Sequence, residues 1–259
     1  MKQRAVVIFI IGLIVTSLFG KDRVIILTDI SNEPDDAESM VRLLLYANEF
    51  DIEAIVATTG CWMKNDPKTE DIYLLLNAYG QVRDNLLLHA KGYPTEEYLA
   101  GIVREGNQGY GMEDVNDANA SPGSEMIIEV IDKEDPRPVW ICIWGGANTL
   151  AQALWTVKQT RTPEQVDEFV SKIRVYDLAG QDDAGAWMTN TFPYLYYIRS
   201  VKQWMGISHW LYSSDSEVRR QARGGDESVV TPEWTEENVQ NNHGPLGAVY
   251  PDAIYIHEG

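Results

Sequence analysis

The sequence is short of basic residues. It has 21 lysines and arginines against 39 aspartates and glutamates, which gives a formal net charge of −18. No block of basic residues occurs along the chain, and binding to the phosphates of a nucleic acid needs clustered lysine and arginine. A nucleic acid polymer is therefore excluded as an expected partner.

Cysteine is also scarce, with two residues in the chain. Cys142 lies in the apolar run VWICIW, and Cys61 lies just past the end of another apolar run. A disulfide needs two Cα atoms within about 7 Å of each other, and nothing in the sequence places these two side by side. We therefore expect two unpaired thiols, although the export predicted below permits a disulfide.

The first twenty residues have the pattern of a secretory signal peptide. Lys2 and Arg4 precede the apolar run AVVIFIIGLIVTSLF, and the small residue Gly20 follows it. A basic segment, an apolar segment and a small residue are the three parts of such a peptide. A membrane anchor is the rival interpretation, but the run is short for a membrane span. We expect cleavage near Gly20 and export to the periplasm or the cell exterior, with no membrane association afterwards.

No internal repeat, low-complexity linker or clear second domain is visible, and predicted strands and helices alternate. Strands are predicted at residues 23–30, 51–60, 86–92, 137–146 and 173–180. Helices are predicted at residues 33–50, 67–82, 122–134, 147–160 and 162–173.

The apolar runs of the predicted strands are continuous, which is typical of parallel strands covered by helices on both faces. We therefore predict an α/β fold over residues 21–259, with a doubly wound, mostly parallel sheet. The final residues, IYIHEG, look like the middle of an element. Truncation of the domain at its C-terminus is a further hypothesis.

The most informative stretch is LTDISNEPDDAESM, residues 27–40, where a strand gives way to a helix. Four of its carboxylates fall within eight positions, and no lysine or arginine occurs before Arg42. A helix start explains part of this density, because acidic residues in a first turn interact favourably with the helix dipole and Pro34 suits the first position. Asp29 lies before the helix and needs another reason.

Metal binding supplies that reason. Two carboxylates about 4 Å apart repel by roughly 4 kcal/mol at an effective dielectric of 20. Protonation, a basic partner or a cation relieves such repulsion, and all-oxygen ligands suit Ca²⁺ or Mg²⁺. We favour a metal site over a helix start alone.

Three further polar loops follow predicted strands, and parallel strands bring such loops to one crevice. They are ATTGCW, IWGGANT and LAGQDDAGAW. In the last loop, glycines flank Asp182 and Asp183, which a solvated turn explains as well as a sugar or metal site does. Trp62, Trp144 and Trp187 also end predicted strands, where their faces suit stacking on sugars, although we expect most of the eight tryptophans to be structural.

The stretch TDISNEPDD resembles the N-terminal signature of the nucleoside hydrolases. It is more similar still to the nucleoside-hydrolase-like, cellulose-binding protein family, a set of exported bacterial relatives of the inosine/uridine-preferring enzymes. VRLLLY and NEFDIEAIVATT extend the likeness over residues 24–60, and looser matches occur at IWGGANTLAQAL, LAGQDDAGAW and HGPLGAVYP. The resemblance implies the nucleoside-hydrolase fold and a bound Ca²⁺ that activates a water for cleavage of a glycosidic bond.

The resemblance also implies catalytic and metal-binding residues. Asp29 would contact calcium and act as general base on the water, and Asp36 would be the second calcium carboxylate. The carbonyl of Trp144 would be a backbone ligand of the metal. His243 falls near the position of the leaving-group histidine, and Asp183 is the other candidate for that acid.

Substrate-binding residues come from both lines of argument. Asp35 matches the family carboxylate that holds ribose hydroxyls, and Asn190 is matched to a sugar-binding asparagine. Asp183, Trp187 and Trp62 are added because they follow predicted strands and would face the crevice. The expected ligand is a sugar-containing small molecule or a polysaccharide, and a homo-oligomer is left open.

The sequence departs from the nucleoside-hydrolase pattern at several positions. Leu27 replaces an aspartate, the loop before Asp36 is two residues longer, and the asparagine expected after the second strand is replaced within ATTGCW. Gly244 stands where an aspartate normally completes the calcium shell. A replacement carboxylate would come from beyond the last residue or from Asp182, Asp183 or Glu258.

Two functions remain open from the sequence. One is an exported, calcium-dependent hydrolase of glycosidic bonds, which the TDISNEPDD loop favours. The other is a non-catalytic carbohydrate-binding (cellulose-binding) protein, which Leu27 and Gly244 favour. A phosphatase is a weaker third reading, because that chemistry commonly uses Asp-x-Asp and the chain has Asp29, Ile30 and Ser31.

Overall fold

The computed structural model of the chain describes residues 20–201, 227–229 and 231–251. The predicted signal peptide, apart from Gly20, lies outside the described residues, as does Glu258. Within the described ranges, no helix is both long enough and apolar enough to cross a membrane.

The strands of the described chain form one sheet. They are β1 (Asp22–Thr28), β2 (Phe50–Ala57), β3 (Val103–Glu105), β4 (Val139–Ile143), β5 (Ile173–Leu178) and β6 (Tyr196–Ser200). The helices are α1 (Pro34–Leu45), α2 (Thr69–His89), α3 (Glu96–Gly101), α4 (Pro122–Asp132), α5 (Asn148–Thr160), α6 (Pro163–Ser171), α7 (Ala184–Thr191), α8 (Pro232–Thr235) and α9 (Gly244–Ala248). Short 3₁₀ segments occur at Ala47–Glu49, Gly111–Asp114 and Glu227–Val229, and a π-helical turn occurs at Glu236–Gln240.

All strand pairings in this sheet are parallel, and the strand order is β3-β2-β1-β4-β5-β6. The predicted α/β fold with a parallel sheet is therefore confirmed. The chain moves outward in one direction from β1 to β3 and in the other from β4 to β6. The order reverses between β1 and β4, and the carboxyl ends of two such strands flank the usual ligand crevice of a doubly wound sheet.

Both faces of the sheet are buried under helices, as predicted. Alternate residues of β1 point to opposite faces, because the side-chain period of a strand is two. Val24 and Ile26 pack in the cluster that includes residues of α1 and α2, whereas Ile25 and Leu27 pack in the cluster that includes residues of α4 and α5. Each central strand thus contributes to two hydrophobic cores, which holds the strand ends in fixed positions.

Two helix starts follow from local sequence. Ser121 accepts a hydrogen bond from the backbone of Ser124 at the start of α4, and Thr162 does the same with Gln165 at the start of α6. In both helices the side chain of the third helical residue accepts a hydrogen bond from the N–H of the capping residue, and a proline occupies the first turn. The predicted N-cap at Thr162 is confirmed.

The predicted strand at residues 86–92 is wrong, because α2 continues through these residues to His89. The apolar triplet of that run does not indicate burial, since Leu88 is 84% exposed. Strands β3 and β6 and helix α7 were not predicted. The two strands lie at the edges of the sheet, and β6 is mostly exposed, so neither has the continuous apolar pattern of a central strand.

The two cysteines are unpaired, as expected. Cys142 lies within β4, and Cys61 lies in the loop after β2. Burial raises the pKa of the Cys142 thiol to about 11. That thiol is therefore protonated at neutral pH.

A buried ion pair joins the amino-terminal ends of the central strands. Arg23 in β1 is fully buried, pairs with Glu53 in β2, and donates a hydrogen bond of 2.7 Å to the carbonyl of Val130. Lys133 contacts the same Glu53 carboxylate at 2.5 Å. Burial alone would raise the pKa of Glu53, but the hydrogen bonds from Arg23 and Lys133 outweigh it, and the pKa is lowered from its ordinary value of 4.5.

We predict that Glu53→Gln lowers the free energy of unfolding at neutral pH by an amount near the lower end of about 3–5 kcal/mol, because the buried Arg23 charge then keeps only the carboxylate of Asp135, whose Oδ2 lies 3.8 Å from its Nε. A lowered carboxyl pKa stabilises the fold above the unfolded pKa, and this contribution is lost as the pH falls. The difference between wild type and variant should therefore shrink below about pH 4.5. Urea unfolding followed by circular dichroism, at neutral pH and below about pH 4.5, measures this difference in stability.

Asp132→Asn is the matched control for this prediction. Asp132 pairs with Arg161 at 2.6 Å on the surface, where an ion pair contributes about 0–1 kcal/mol. Equal losses of stability in the two variants would contradict the assigned importance of the Arg23–Glu53 pair.

Candidate functional site

Asp29 lies directly after β1, at the reversal of the strand order. The two residues before Asp29 accept hydrogen bonds from the residues that directly follow β4 and β2. The N–H of Trp144 donates to the carbonyl of Leu27 at 2.8 Å, and the N–H of Thr58 donates to the carbonyl of Thr28 at 2.7 Å. Asp29 itself is only 4% exposed. The sheet therefore holds a buried carboxylate at the crevice, as the sequence predicted.

Two glycines make room for this carboxylate. A Cβ atom on Gly145 would lie 2.7 Å from the Cβ, Cγ and Oδ1 atoms of Asp29. A Cβ atom on Gly60 would overlap the carboxylate of Asp29 and lie 2.8 Å from Oε1 of Gln181. Neither glycine has a positive φ, so close approach explains them and backbone conformation does not. This is the structural role of the glycines in ATTGCW and IWGGANT.

Asp36, in the first turn of α1, is the nearest carboxyl partner of Asp29. It is buried and accepts a hydrogen bond from the hydroxyl of Thr28. Asn32 donates a hydrogen bond of 3.2 Å to Oδ2 of Asp29. The hydrogen bond between the Asp29 and Asp36 side chains lowers the pKa of Asp29 and raises that of Asp36.

The remaining carboxylates add to the repulsion. Burial raises the pKa of Asp29 to about 7, and the charges of Asp35 and Glu33 act in the same direction. Burial also raises the pKa of Glu33 to about 7, with a contribution from Asp35. The pKa of Asp35 is raised by burial, and that of Asp36 is well above its usual range because of burial and the charges of Asp29 and Asp35. We call these four residues the acidic cluster.

The helix-start explanation accounts for part of the acidic cluster. Pro34 begins α1, Asp35 and Asp36 lie in its first turn, and Glu33 precedes it without a side-chain capping bond. This explanation does not extend to Asp29, which belongs to the strand end. The predicted interpretation of the stretch as more than a helix start therefore agrees with the position of Asp29.

The groups matched to a calcium shell are partly engaged by protein donors. Nε2 of Gln181 donates a hydrogen bond of 2.6 Å to the carbonyl of Trp144. Among residues 20–201, 227–229 and 231–251, no three His, Cys, Asp or Glu side chains are arranged to hold a metal ion. A cation at Asp29 and Asp36 would therefore take its other ligands from backbone carbonyls and water.

Asp182 and Asp183 have structural partners instead. Asp182 accepts backbone hydrogen bonds from Ala147 at 2.8 Å and from Asn148 and Ala184 at 3.0 Å. Burial raises its pKa to about 6, against the lowering effect of these bonds. Asp183 accepts a bond of 2.8 Å from the N–H of Met112. No contact in the described chain directs either carboxylate toward Asp29, and Glu258 lies outside the described residues.

A pocket of about 220 Å³ opens beside the acidic cluster, and we call it the Trp62 pocket. Its lining comprises Glu33, Asp35, Cys61, Trp62, Leu178, Ala179 and Gln181. The indole of Trp62 is 76% exposed. The structure thus brings together two of the predicted substrate-binding residues, Asp35 and Trp62. The pKa of Cys61 is raised to about 11 by burial, with Asp29 and Glu33 adding to it, so its thiol is no nucleophile at neutral pH.

Gln181 and Glu33 are site residues that the sequence analysis did not select. Oε1 of Gln181 accepts a bond of 3.2 Å from the N–H of Cys61, while its Nε2 holds the Trp144 carbonyl. Gln181 therefore ties together the loops after β2, β4 and β5. The signal in the sequence was its position at a strand end, between a glycine and two aspartates.

Besides Asp183, three other predicted substrate-binding or catalytic residues lie away from the Trp62 pocket. Trp187, in α7, packs against Trp155 and Phe192 with ring centroids 6.0 and 5.8 Å apart, so its faces serve the core. Asn190 is exposed in the last turn of α7, about 10 Å along the helix from Asp183. His243 is exposed before α9, with Nδ1 2.6 Å from the carbonyl of Asn241. Within the described chain, no contact joins any of them to the acidic cluster.

Comparison with known proteins agrees with this fold. The family model described as "Cellulose-binding Sde182, nucleoside hydrolase-like domain" matches residues 23–259. The chain belongs to this family. The resemblance drawn from TDISNEPDD is therefore confirmed, while the roles of individual residues and of calcium stay predictions.

A solved structure supports the same assignment. It is that of a nucleoside hydrolase-related hypothetical protein from Saccharophagus degradans that is associated with carbohydrate metabolism, and it is 45% identical with a TM-score of 0.76. The match covers 92% of this chain and 52% of the other, so the chain spans about half the length of that protein. No match was found among the curated proteins.

Proposed function

We propose that the chain binds a sugar-containing ligand in the Trp62 pocket. Trp62 stacks on the apolar face of a sugar ring, and the carboxylate of Asp35 accepts hydrogen bonds from its hydroxyl groups. The observation that carries this proposal is the combination of a largely exposed indole and two carboxylates, Asp35 and Glu33, around one cavity. Membership of a family described as cellulose-binding supports the same class of ligand.

The exposure of Trp62 is the strongest part of this argument. Tryptophan usually buries most of its surface, and an exposed indole gains free energy when a partner covers it. Among the described residues Trp62 has no aromatic contact, whereas Trp187 packs against Trp155 at a tilt and against Phe192 edge-on. A sugar ring offers a flat face of C–H groups to the indole and a rim of hydroxyls to the neighbouring carboxylates.

We further propose that Ca²⁺ binds at Asp29 and Asp36. The donor set fits a hard cation, because it consists of oxygens and because a positive charge would stabilise the buried, mutually repelling carboxylates of Asp29 and Asp36. The Trp144 carbonyl, which has a second lone pair beside its bond from Gln181, would be a third ligand. Bound calcium would lower the pKa of a water in the crevice. With two carboxylates where calcium takes six to eight oxygens, we expect a weak site.

Hydrolysis of a glycosidic bond is the second candidate function, and Asp29 favours it. Its pKa of about 7 suits a general base at neutral pH. In such a reaction Asp29 takes the proton of the attacking water, Asp35 holds the sugar hydroxyls, and a protonated carboxyl serves the leaving group. Of the described acids, Glu33 lines the pocket and has a pKa of about 7, whereas neither His243 nor Asp183 lines it.

Binding ranks above hydrolysis because of where Asp29 lies. Asp35, Glu33 and Trp62 line the pocket, whereas Asp29 is not part of its lining and stands behind Gly60. The groups that recognise a sugar are therefore already placed to contact it. The base reaches a substrate only through a water that enters the space between the carboxylates.

Replacing Trp62 tests the binding proposal. We expect Trp62→Ala to weaken binding of a soluble cello-oligosaccharide about five- to tenfold or more, because stacking residues at the centre of a site contribute at least about 1 kcal/mol. Isothermal titration calorimetry measures the dissociation constant. Trp234→Ala, at another partly exposed tryptophan on α8, is the control and should bind like the wild type. Unchanged binding in Trp62→Ala would remove the support for this pocket.

Thermal unfolding with Ca²⁺ and with a chelator tests the metal proposal. Ligand at a hundredfold over its dissociation constant adds about 2.7 kcal/mol of stability, so the wild-type midpoint should rise by several degrees. Asp36→Asn should lose this rise because it removes a ligand carboxylate. Asp183→Asn, whose carboxylate is held by Met112, should keep it. A rise that persists in Asp36→Asn would place the calcium elsewhere.

A screen for released sugar or base over nucleosides and glycosides tests hydrolysis. If the chain is a hydrolase, Asp29→Asn should lower the rate by about 10²–10⁴-fold, as loss of a general base does, while binding of the substrate persists. Asp183→Asn again serves as the control. An active Asp29→Asn variant would refute the role of Asp29 as base, and an inactive wild type would leave binding as the function.

A further inference from the structure

A second and larger pocket, of about 320 Å³, lies next to the acidic cluster. We call it the Leu74 pocket. Residues of the loop after β1, of α1, of α2 and of the segment that follows α9 line it, and Glu33 lines both this pocket and the Trp62 pocket. We infer that the two pockets are neighbouring subsites for one oligosaccharide, whose chain passes Glu33. This inference rests on the proposed sugar binding and extends it to the length of the ligand.

The lining of the Leu74 pocket combines apolar walls with hydrogen-bond acceptors. Ile30, Leu74 and Leu75 supply apolar surface, and Leu74 is 55% exposed although it lies on a helix. Ser31 and Asp71 place a hydroxyl and a carboxylate in the same lining. A sugar ring has the matching character, with apolar faces and hydroxyl donors around its edge. Within the described chain only Oδ2 of Asp71 has a donor, the hydroxyl of Ser31, so a purely apolar ligand would leave Oδ1 without one, at a cost in affinity.

The loop that carries Glu33 is anchored by hydrogen bonds of the two residues before it, Ser31 and Asn32. On one side, Asn32 donates to the Asp29 carboxylate at 3.2 Å, and its N–H donates to the carbonyl of Asp29 at 3.1 Å. On the other side, the hydroxyl of Ser31 donates to Asp71 in α2. Ser31 has a φ of 77°, in the left-handed region, which turns the chain sharply between the strand and Glu33. Glu33, which lines both cavities, is thereby held in a fixed position.

The carboxylate of Glu33 is open to a ligand. In the described part of the chain, Glu33 makes no hydrogen bond or ion pair through its side chain, and that side chain is only partly buried. A ligand confined to one pocket would contact one side of Glu33. An oligosaccharide that spans both pockets places the linkage between two rings, with the neighbouring hydroxyls, against this acceptor.

The inference predicts that affinity increases with the number of sugar rings. Dissociation constants for glucose, cellobiose and cellotetraose are measured on the full chain by calorimetry, with ligand-observed NMR for the weakest. For the wild type we expect about a tenfold or greater gain from glucose to the oligosaccharides, because the second ring buries further surface in the Leu74 pocket.

Two variants on one helix locate this gain. Leu74→Arg fills the Leu74 pocket, whereas Leu88→Arg makes the same exchange at an 84% exposed position of α2 that lines neither pocket. We expect Leu74→Arg to lose the gain and keep its affinity for glucose, and Leu88→Arg to behave like the wild type. Leu74→Ala, which removes the apolar wall without adding charge, should reduce the gain if Leu74→Arg does not fold.

The outcomes separate this inference from the proposal on which it rests. Glucose binding that depends on Trp62 but shows no gain with chain length overturns the second subsite and leaves the Trp62 pocket intact. A gain that survives both Leu74→Arg and Leu74→Ala also overturns it, since other residues of the chain or another surface then hold the second ring. Failure of every sugar to bind overturns the proposed function and the inference together.

Discussion

The crowding of buried carboxylates at the end of β1 is the constraint on which the rest of this site depends. Two carboxylates about 4 Å apart repel by roughly 4 kcal/mol at an effective dielectric of 20, which is a large fraction of the free energy of folding of many domains, about 5–15 kcal/mol. The fold relieves part of this repulsion through raised carboxyl pKa values, a hydrogen bond from Thr28 to Asp36 and a hydrogen bond from Asn32 to Asp29. Proteins retain such local conflict mainly where function requires it. The proposed cation or sugar ligand would relieve the repulsion that remains in this cluster.

The sheet supplies the rigidity that keeps these charges together. Two hydrophobic cores, one on each face, hold β1 between β2 and β4, and the loops after those strands close around Asp29 through Gly60 and Gly145. Gln181 links the same loops to the end of β5 through two hydrogen bonds. A shift of one loop would expose Asp29 or force it against a neighbouring backbone. The position of the carboxylate is thus a property of four strand ends together.

The sequence predicted the features that depend on local pattern. Continuous apolar runs indicated the central parallel strands, and the density of acidic residues after the first strand indicated the site, because both signals lie within a few residues of chain. The edge strands β3 and β6 were missed because they are short or exposed. Gln181 and Glu33 gain their roles from loops that meet only in the folded chain. Trp187 follows a strand in sequence, but α7 begins at Ala184 and turns the indole into the core.

Under the proposed function, binding of the sugar and the chemistry of the crevice depend on different residues. Trp62, Asp35 and Glu33 face the cavities, and Asp29 and Asp36 lie behind them against the strand ends. Substitutions in the rear layer therefore change the charge and the water of the crevice without removing a contact to the sugar. The absence of carboxylates at Leu27 and Gly244, where nucleoside hydrolases usually have them, falls on the metal side of this division. Under the proposed function, substitutions among the calcium ligands would lower calcium affinity or turnover but leave Trp62, Asp35 and Glu33 in place, so carbohydrate binding would persist.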